Sequence, residues 1–272
     1  MSSVLIHPSA IISPSARLGN DVEIGPHVII EGAVVIGDRT RIQGNAVITG
    51  DVTLGEDNLV GYSAIIGADP QDLNYKAGTP SGVVIGNKNT IRELCTIHCG
   101  SGENTMTRVG DGNYLMAGTH LAHNVIMGNQ CISANNVLLA GHVRVEDKVF
   151  LGGAGCFHQF VRIGTMAVTQ GMSGIGKDVP PYSMTAGRNL VVGLNVVGMR
   201  RGGLKAEQRS EIKEAFRLLY RSGLNVSQAL EKAAERTWGT EAAYFFQFVR
   251  EAKKRGICEG LESSRREEAE GE

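Results

Sequence analysis

Residues 18–50 run "LGNDVEIGPHVIIEGAVVIGDRTRIQGNAVITG", and every sixth position, Leu18, Ile24, Ile30, Ile36, Ile42 and Ile48, is aliphatic. The same phase extends back to Ile6 and Ile12 and forward to Leu54, Val60 and Ile66. A period of six is neither that of a helix nor that of an alternating strand. It describes short strands joined by tight turns, each aliphatic residue pointing into a shared interior. The glycine that often follows is expected to supply the positive φ a corner needs. Three such sides close a triangle, so one coil takes about 18 residues, and coils stack at about 4.8 Å. The expected fold is an all-β left-handed parallel β-helix of hexapeptide repeats, an exception to the right-handed crossover rule.

The phase slips across "GADPQDLNYKAGTPSGVV" (Gly67 to Val84), resumes at Ile85, Ile91 and Ile97, and breaks again at "HCGSGENTMTR" (His98 to Arg108). From Val109 it holds to "DVPP" at Asp178 to Pro181. Residues 1–187 therefore make roughly nine or ten coils. A solenoid takes insertions only where a loop can leave the prism, and such loops commonly build the site.

Beyond "GRNLVVGLNVVGMRRGG" (Gly187 to Gly203) the pattern changes to a helical one. Ile212, Phe216 and Leu219 share one face of a helix that stops near Gly223. Asn225 or Ser227 can cap a second helix through Arg236, and Thr240 a third that carries Phe245, Phe248 and Val249 to Gly256. The expected organisation is a β-helix domain over 1–187, an α-helical C-terminal domain over 188–258, and a disordered tail over 259–272. The helices would cover the last coil, which otherwise exposes a pairing edge.

The chain of 272 residues has a formal charge of -1, which argues against a nucleic-acid partner. That charge is unevenly divided: residues 1–187 carry -4 and residues 188–256 carry +7, so the helical part suits an acidic macromolecule or phosphates. The first residues lack a basic segment followed by a long apolar core, and no apolar run approaches the ~18 residues of a membrane span. The five cysteines are odd in number and scattered. Reduced thiols, a cytoplasmic location and no stable membrane insertion are expected.

Five of the seven histidines, His98, His120, His123, His142 and His158, fall within a short stretch. His142 follows His123 by one coil plus one residue, and His158 follows His142 by one coil less two. These three should therefore stack near one edge of the prism. Three histidines can hold zinc, but the spacing H-L-A-H and the pair Cys95 and Cys99 make a poor ligand set, and no metal is expected. General-base catalysis remains, with one imidazole taking a proton and its neighbours binding a polar substrate.

"QDLNY" (Gln71 to Tyr75), "TIHCG", "THLAHN", "LAGHV" (Leu139 to Val143), "HQF" (His158 to Phe160), "DVPPY" and "GLNVVGMRRG" occur in this order. Together they resemble the UDP-N-acetylglucosamine acyltransferases that open lipid A biosynthesis, over the chain to about Cys258. The resemblance implies a homotrimer with active sites between subunits. It implies transfer of a 3-hydroxyacyl chain from acyl carrier protein to the sugar 3-hydroxyl, with no cofactor beyond that acyl donor. His123 would be the general base, and Gly141 would offer its N–H to the oxyanion. Gln71 and Asp72 would bind the sugar. His98, His120, His142, His158, Gln159, Asn195 and Arg201 would contact the rest of the substrates, and Gly171 would set acyl-chain length.

The chain also departs from the family pattern. Asn124 stands where Asp usually follows the catalytic histidine, Asn74 where Lys is usual, Cys99 for Arg, and Val197 for Glu. An amide in place of a carboxylate suits a better nucleophile, so a UDP-sugar bearing a 3-amine is an alternative acceptor. The hexads by themselves also fit an acetyl-CoA-dependent transferase or a non-catalytic sugar-nucleotide-binding scaffold.

Overall fold

A computed structural model describes residues 4–252 and 255–261. Its first part is a three-sided prism of short parallel strands, the left-handed β-helix that the hexads imply. Three sheets of twelve, nine and eight strands, parallel but for one pair in the first, form the walls among the described residues. They are termed the first, second and third face, in the order in which the chain visits them. In a typical two-residue strand such as Glu23–Ile24, the first side chain is exposed and the second buried. Ile24, Ile30, Ile36, Ile42, Ile48, Leu54, Val60 and Ile66 all lie in the core. Ile6 belongs to the same series but is 47% exposed, because no coil among the described residues lies beneath it.

Glycine has a different job from the one expected. Positive φ in these turns falls mostly on other residues, such as Asp21, His27, Arg39, Asn45 and Asp57, and on few glycines, Gly32, Gly50 and Gly67 among them. The repeat glycines sit where coils touch: a Cβ on Gly37 would come within 2.5 Å of the Gly55 carbonyl carbon. Close approach of stacked backbones, not backbone freedom, excludes a side chain there.

The two breaks in the period lengthen individual coils to 31 and 24 residues, yet register is kept. A buried asparagine ladder spans these coils. Asn58 Oδ1 accepts from the Asn89 N–H (2.9 Å) and amide (3.1 Å), and Asn89 Oδ1 accepts from the Asn113 N–H (2.9 Å) and amide (3.0 Å). Asn113 Oδ1 then accepts from Cys131 N–H (2.8 Å). Both insertions leave between the second and third faces: the first joins Ile65–Ala68 to Ser81–Ile85, the second Thr96–His98 to Thr105–Val109. They therefore emerge at one corner, on neighbouring coils.

The first face continues past residue 187. Ser183–Ala186 pairs antiparallel with Leu190–Leu194, which pairs with Glu259–Gly260. Residues 259 and 260, counted with the tail in the sequence, are thus a strand at the edge of the first face; residues 262–272 lie outside the described residues. Among the described residues, four helices follow Leu194: α1 (Val196–Arg201), α2 (Ala206–Tyr220), α3 (Val226–Ala233) and α4 (Thr240–Glu251). Helix α1 has no sequence signature beyond its cap, because it is too short for a period. Asn225 caps α3 as expected, but α3 ends at Ala233, where Trp238 Nε1 donates to the Ala233 carbonyl and Arg236 stacks on Trp238. Helix α4 is preceded by Gly239 as its cap, with Thr240 its first residue, and it ends at Glu251 rather than Gly256.

Arg162 fastens the helices to the prism. Its Nε meets Asp178 (2.8 Å), its terminal nitrogen donates to the Phe248 carbonyl (2.8 Å), and its guanidinium lies over the Phe248 ring. No helix among the described residues is long and apolar enough to cross a membrane.

Candidate active site

The corner that releases both insertions also carries the histidines. His120–Leu121 lies on the second face and Ile126–Met127 on the third, and His123 and Asn124 form the turn between them. The same turn on the next two coils holds Gly141 with His142, then Gln159 with Phe160. Asn124, His142 and Phe160 all have positive φ, between 60° and 66°.

His123 is buried, and its Nδ1 lies 2.9 Å from Asn124 Oδ1. That same oxygen faces the Ser101 N–H and hydroxyl, each at 3.1 Å. A backbone N–H can only donate, so the Asn124 atom in front of it is the carbonyl oxygen. An amide oxygen can only accept, so His123 Nδ1 carries the proton and Nε2 presents a lone pair. Ser101 comes from the second insertion, so that loop sets the tautomer. The Nε2 edge lies over Gly141: a Cβ there would come within 2.5 Å of both Nε2 and Cε1. Among the described residues, Ala140 and His142 give their N–H groups to carbonyls of Phe157 and His123, whereas the Gly141 N–H joins no such bond.

The other histidines divide between the two sides of this corner. His98 and His120 meet edge to face at 5.1 Å, and Thr96 Oγ1 lies 2.7 Å from His120 Nδ1. Burial, with His98 second, pushes the His120 imidazole down to about 4. Burial also lowers His98, opposed by its hydrogen bond to the Asp69 backbone, and its buried Nδ1 has no partner among the described residues. His142 meets the His123 ring edge to face at 5.1 Å and stacks on Phe160 at 4.6 Å. Its imidazole is lowered by burial first, then by His123 and Arg144, with Asp72 opposing.

A cleft of about 920 Å³ runs along the second face past Gln71, His120, His123, Gly141, His158 and Gln159. His142 opens instead onto a cleft on the third face, with Asn124, Arg144 and Phe160. The three stacked histidines thus share a corner but straddle it. Gln71 reaches the cleft from the first insertion, while Asp72 Oδ1 is taken by the Asn74 N–H at 2.9 Å. Gly171, Asn195 and Arg201 are not brought to it. Gly171 lies in the turn that leaves the first face, and a Cβ there would meet the Gly153 carbonyl at 3.2 Å. Asn195 caps α1, accepting from Gly198 N–H and donating to the Met166 carbonyl, each at 2.8 Å. Arg201 is exposed in the last turn of that helix. Sequence reasoning missed Thr96, Cys156 and Arg188 in the cleft and Ser101 behind it. The first two lie in the column of His120, once the 24-residue coil is allowed for.

A hexapeptide-repeat prism with an imidazole lone pair facing a cleft at one corner defines the β-helical acyltransferases. Within them, this chain belongs to the UDP-N-acetylglucosamine O-acyltransferases. A family model described as "Udp N-acetylglucosamine O-acyltransferase; Domain 2" matches residues 178–258. An acyl-[acyl-carrier-protein]–UDP-N-acetylglucosamine O-acyltransferase from Janthinobacterium sp. (strain Marseille) is 48% identical over 259 residues, 93% of this chain and 98% of that one. The solved UDP-N-acetylglucosamine acyltransferase of Bacteroides fragilis is 40% identical with a TM-score of 0.88, covering 93% of this chain and 99% of its own. That of Francisella novicida has a TM-score of 0.90 at 35% identity, covering 96% of each chain.

Proposed function

We propose that this acyltransferase moves a 3-hydroxyacyl chain from acyl carrier protein to the 3-hydroxyl of UDP-N-acetylglucosamine, the first step of lipid A biosynthesis. His123 Nε2 takes the hydroxyl proton as the sugar oxygen attacks the thioester carbonyl. The oxyanion is met by the Gly141 N–H, and its collapse expels the carrier thiolate, which recovers the proton from the His123 imidazolium. No resident cofactor enters this scheme. The observation that carries the reading is the Asn124 oxygen held between Ser101 and His123, because it leaves Nε2 bare beside a small, donor-bearing turn.

Support for the carrier comes from the helical domain. Arg209, Lys213, Arg217 and Arg221 line a groove of about 410 Å³ along α2, which suits an acidic protein. We also assign the β-helix domain, 1–187, to catalysis, the helical domain, 188–258, to carrier binding, and the chain to a cytoplasmic homotrimer. Exposed Leu138 and Phe160 on either side of the histidine corner support subunit contacts there.

Mass-spectrometric assay of acyl transfer from carriers of several chain lengths tests the reaction. His123→Ala should lose about 10² or more in turnover; an indifferent variant would leave only a binding scaffold. Asn124 favours one second reading, a 3-amino UDP-sugar as acceptor, since an amine needs less help from the base than a hydroxyl. Parallel assays of the two UDP-sugars decide it, and preference for the hydroxyl ends it.

A further inference from the structure

Helix α2 and its cap carry their cations in a single row. Arg209, Lys213, Arg217 and Arg221 follow one another every four residues, the spacing that stacks side chains along one face, and all four line the groove beside α1. At the helical rise the row spans about 18 Å. Two glutamates of α2 are engaged elsewhere: Glu211 accepts from the Gly239 N–H at 3.1 Å and Glu214 from Arg236 at 2.9 Å. None of the four cations forms an ion pair among the described residues. The groove is thus a strip of positive charge over an apolar floor of Met199 and Phe216.

The chain itself delivers an acidic segment to this strip. Glu259 and Gly260 pair in parallel with Leu190 and Val191, so their direction points toward Gly193 and Leu194, which wall the groove. The same strand is fixed against the end of α2. The Tyr220 hydroxyl donates to the Cys258 carbonyl at 3.0 Å, and a Cβ on Gly260 would come within 2.9 Å of the Tyr220 ring. Beyond it the sequence reads "ESSRREEAEGE" (Glu262 to Glu272), whose last six residues hold Glu267, Glu268, Glu270 and Glu272 and no cation. The seven residues from Gly260 to Glu267 span about 24 Å when extended, enough to bring the acidic run to any cation of the row. We propose that residues 262–272 dock along α2 in this groove and compete there with the acidic carrier protein. The proposal rests on the groove as the carrier site, argued above. A short tether holds the segment at about millimolar effective concentration, so weak pairing suffices to occupy the groove until the carrier displaces it.

Two measurements on the full chain test it. Carbodiimide coupling joins a carboxylate to an amine only where the two touch. Lys213 should therefore couple to the glutamates of residues 262–272, as mapped by mass spectrometry, and exposed Lys88, in a turn of the prism, should not. No link to Lys213 overturns the proposal, and so does a link to Lys88 of equal yield. The second measurement combines Glu267→Gln, Glu268→Gln, Glu270→Gln and Glu272→Gln. With the tethered competitor weakened, KM for acyl carrier protein should fall about threefold to tenfold, while kcat and KM for the UDP-sugar stay where they were. The difference should close at about 1 M salt, where the screening length is about 3 Å. An unchanged KM for the carrier overturns the competition, and a fall confined to the UDP-sugar would put the segment at the histidine cleft instead. Coupling needs no acyl donor, so docking of the segment and use of the carrier can fail separately.

Discussion

Asn124 orients His123 as a carboxylate would but brings no charge to the imidazolium formed in the reaction. Its oxygen is held in place by the two donors of Ser101, which would serve a carboxylate equally well. Asn124→Asp should therefore fold and keep the tautomer while adding a negative charge beside the ring. The expected outcome is faster transfer to the 3-hydroxyl and an acid limb of the pH–rate profile moved about one unit toward higher pH, since a nearby anion favours the protonated imidazole. Ser101→Ala removes one of the three donors and should lower kcat several-fold with little change in KM; an unchanged kcat would deny the loop its positioning role. Residue spacing reveals His123 because an imidazole's place survives translation along an 18-residue coil. Ser101 escapes because it lies inside an insertion, where distance along the chain no longer maps onto position around the prism. Arg188 escapes for a related reason: the last turn before the helices is not a hexad.

The asparagine ladder belongs to the strand pairs rather than to any one residue. Each rung satisfies the backbone N–H of the coil above, so the ladder joins two coils where the six-residue phase is lost. Asn89→Ala would leave the buried N–H of Asn113 unpaired, while Asn58 Oδ1 keeps the backbone N–H of residue 89. With one group orphaned, the loss should be about 1–3 kcal/mol, read as a lower urea midpoint. A midpoint unchanged within error would mean that aliphatic stacking alone keeps the register. The hexads make the walls legible, since one buried aliphatic per six residues has no helical or ordinary strand equivalent. They give no sign of the ladder, because an asparagine at a turn reads first as a loop residue. The repeat glycines read as corner residues for the same local reason: contact between coils is invisible within a single hexad.

Across the whole molecule, the histidine corner makes stability depend on pH. Burial holds the folded His120 at about 4, with His98 adding to the effect, and lowers His98 itself. An unfolded histidine titrates near 6.5. The folded state thus binds fewer protons between these values, so this stabilisation is whole above about 6.5 and is lost as pH falls toward 4. Melting temperature should drop over that window, and His120→Gln should flatten the drop; an equally steep fall in the variant would assign it to the carboxylates. The two ends of the prism differ as well. Helices close one end, while at the other Leu5, Ile6 and Ile11 stand 61%, 47% and 64% exposed. In a stack where each coil touches only its neighbours, such asymmetry gives unravelling a polarity. Among the described coils, fraying begins at the end with the exposed aliphatics and must consume several coils before it reaches His123, so the first turns act as a sacrificial buffer between thermal noise and the chemistry.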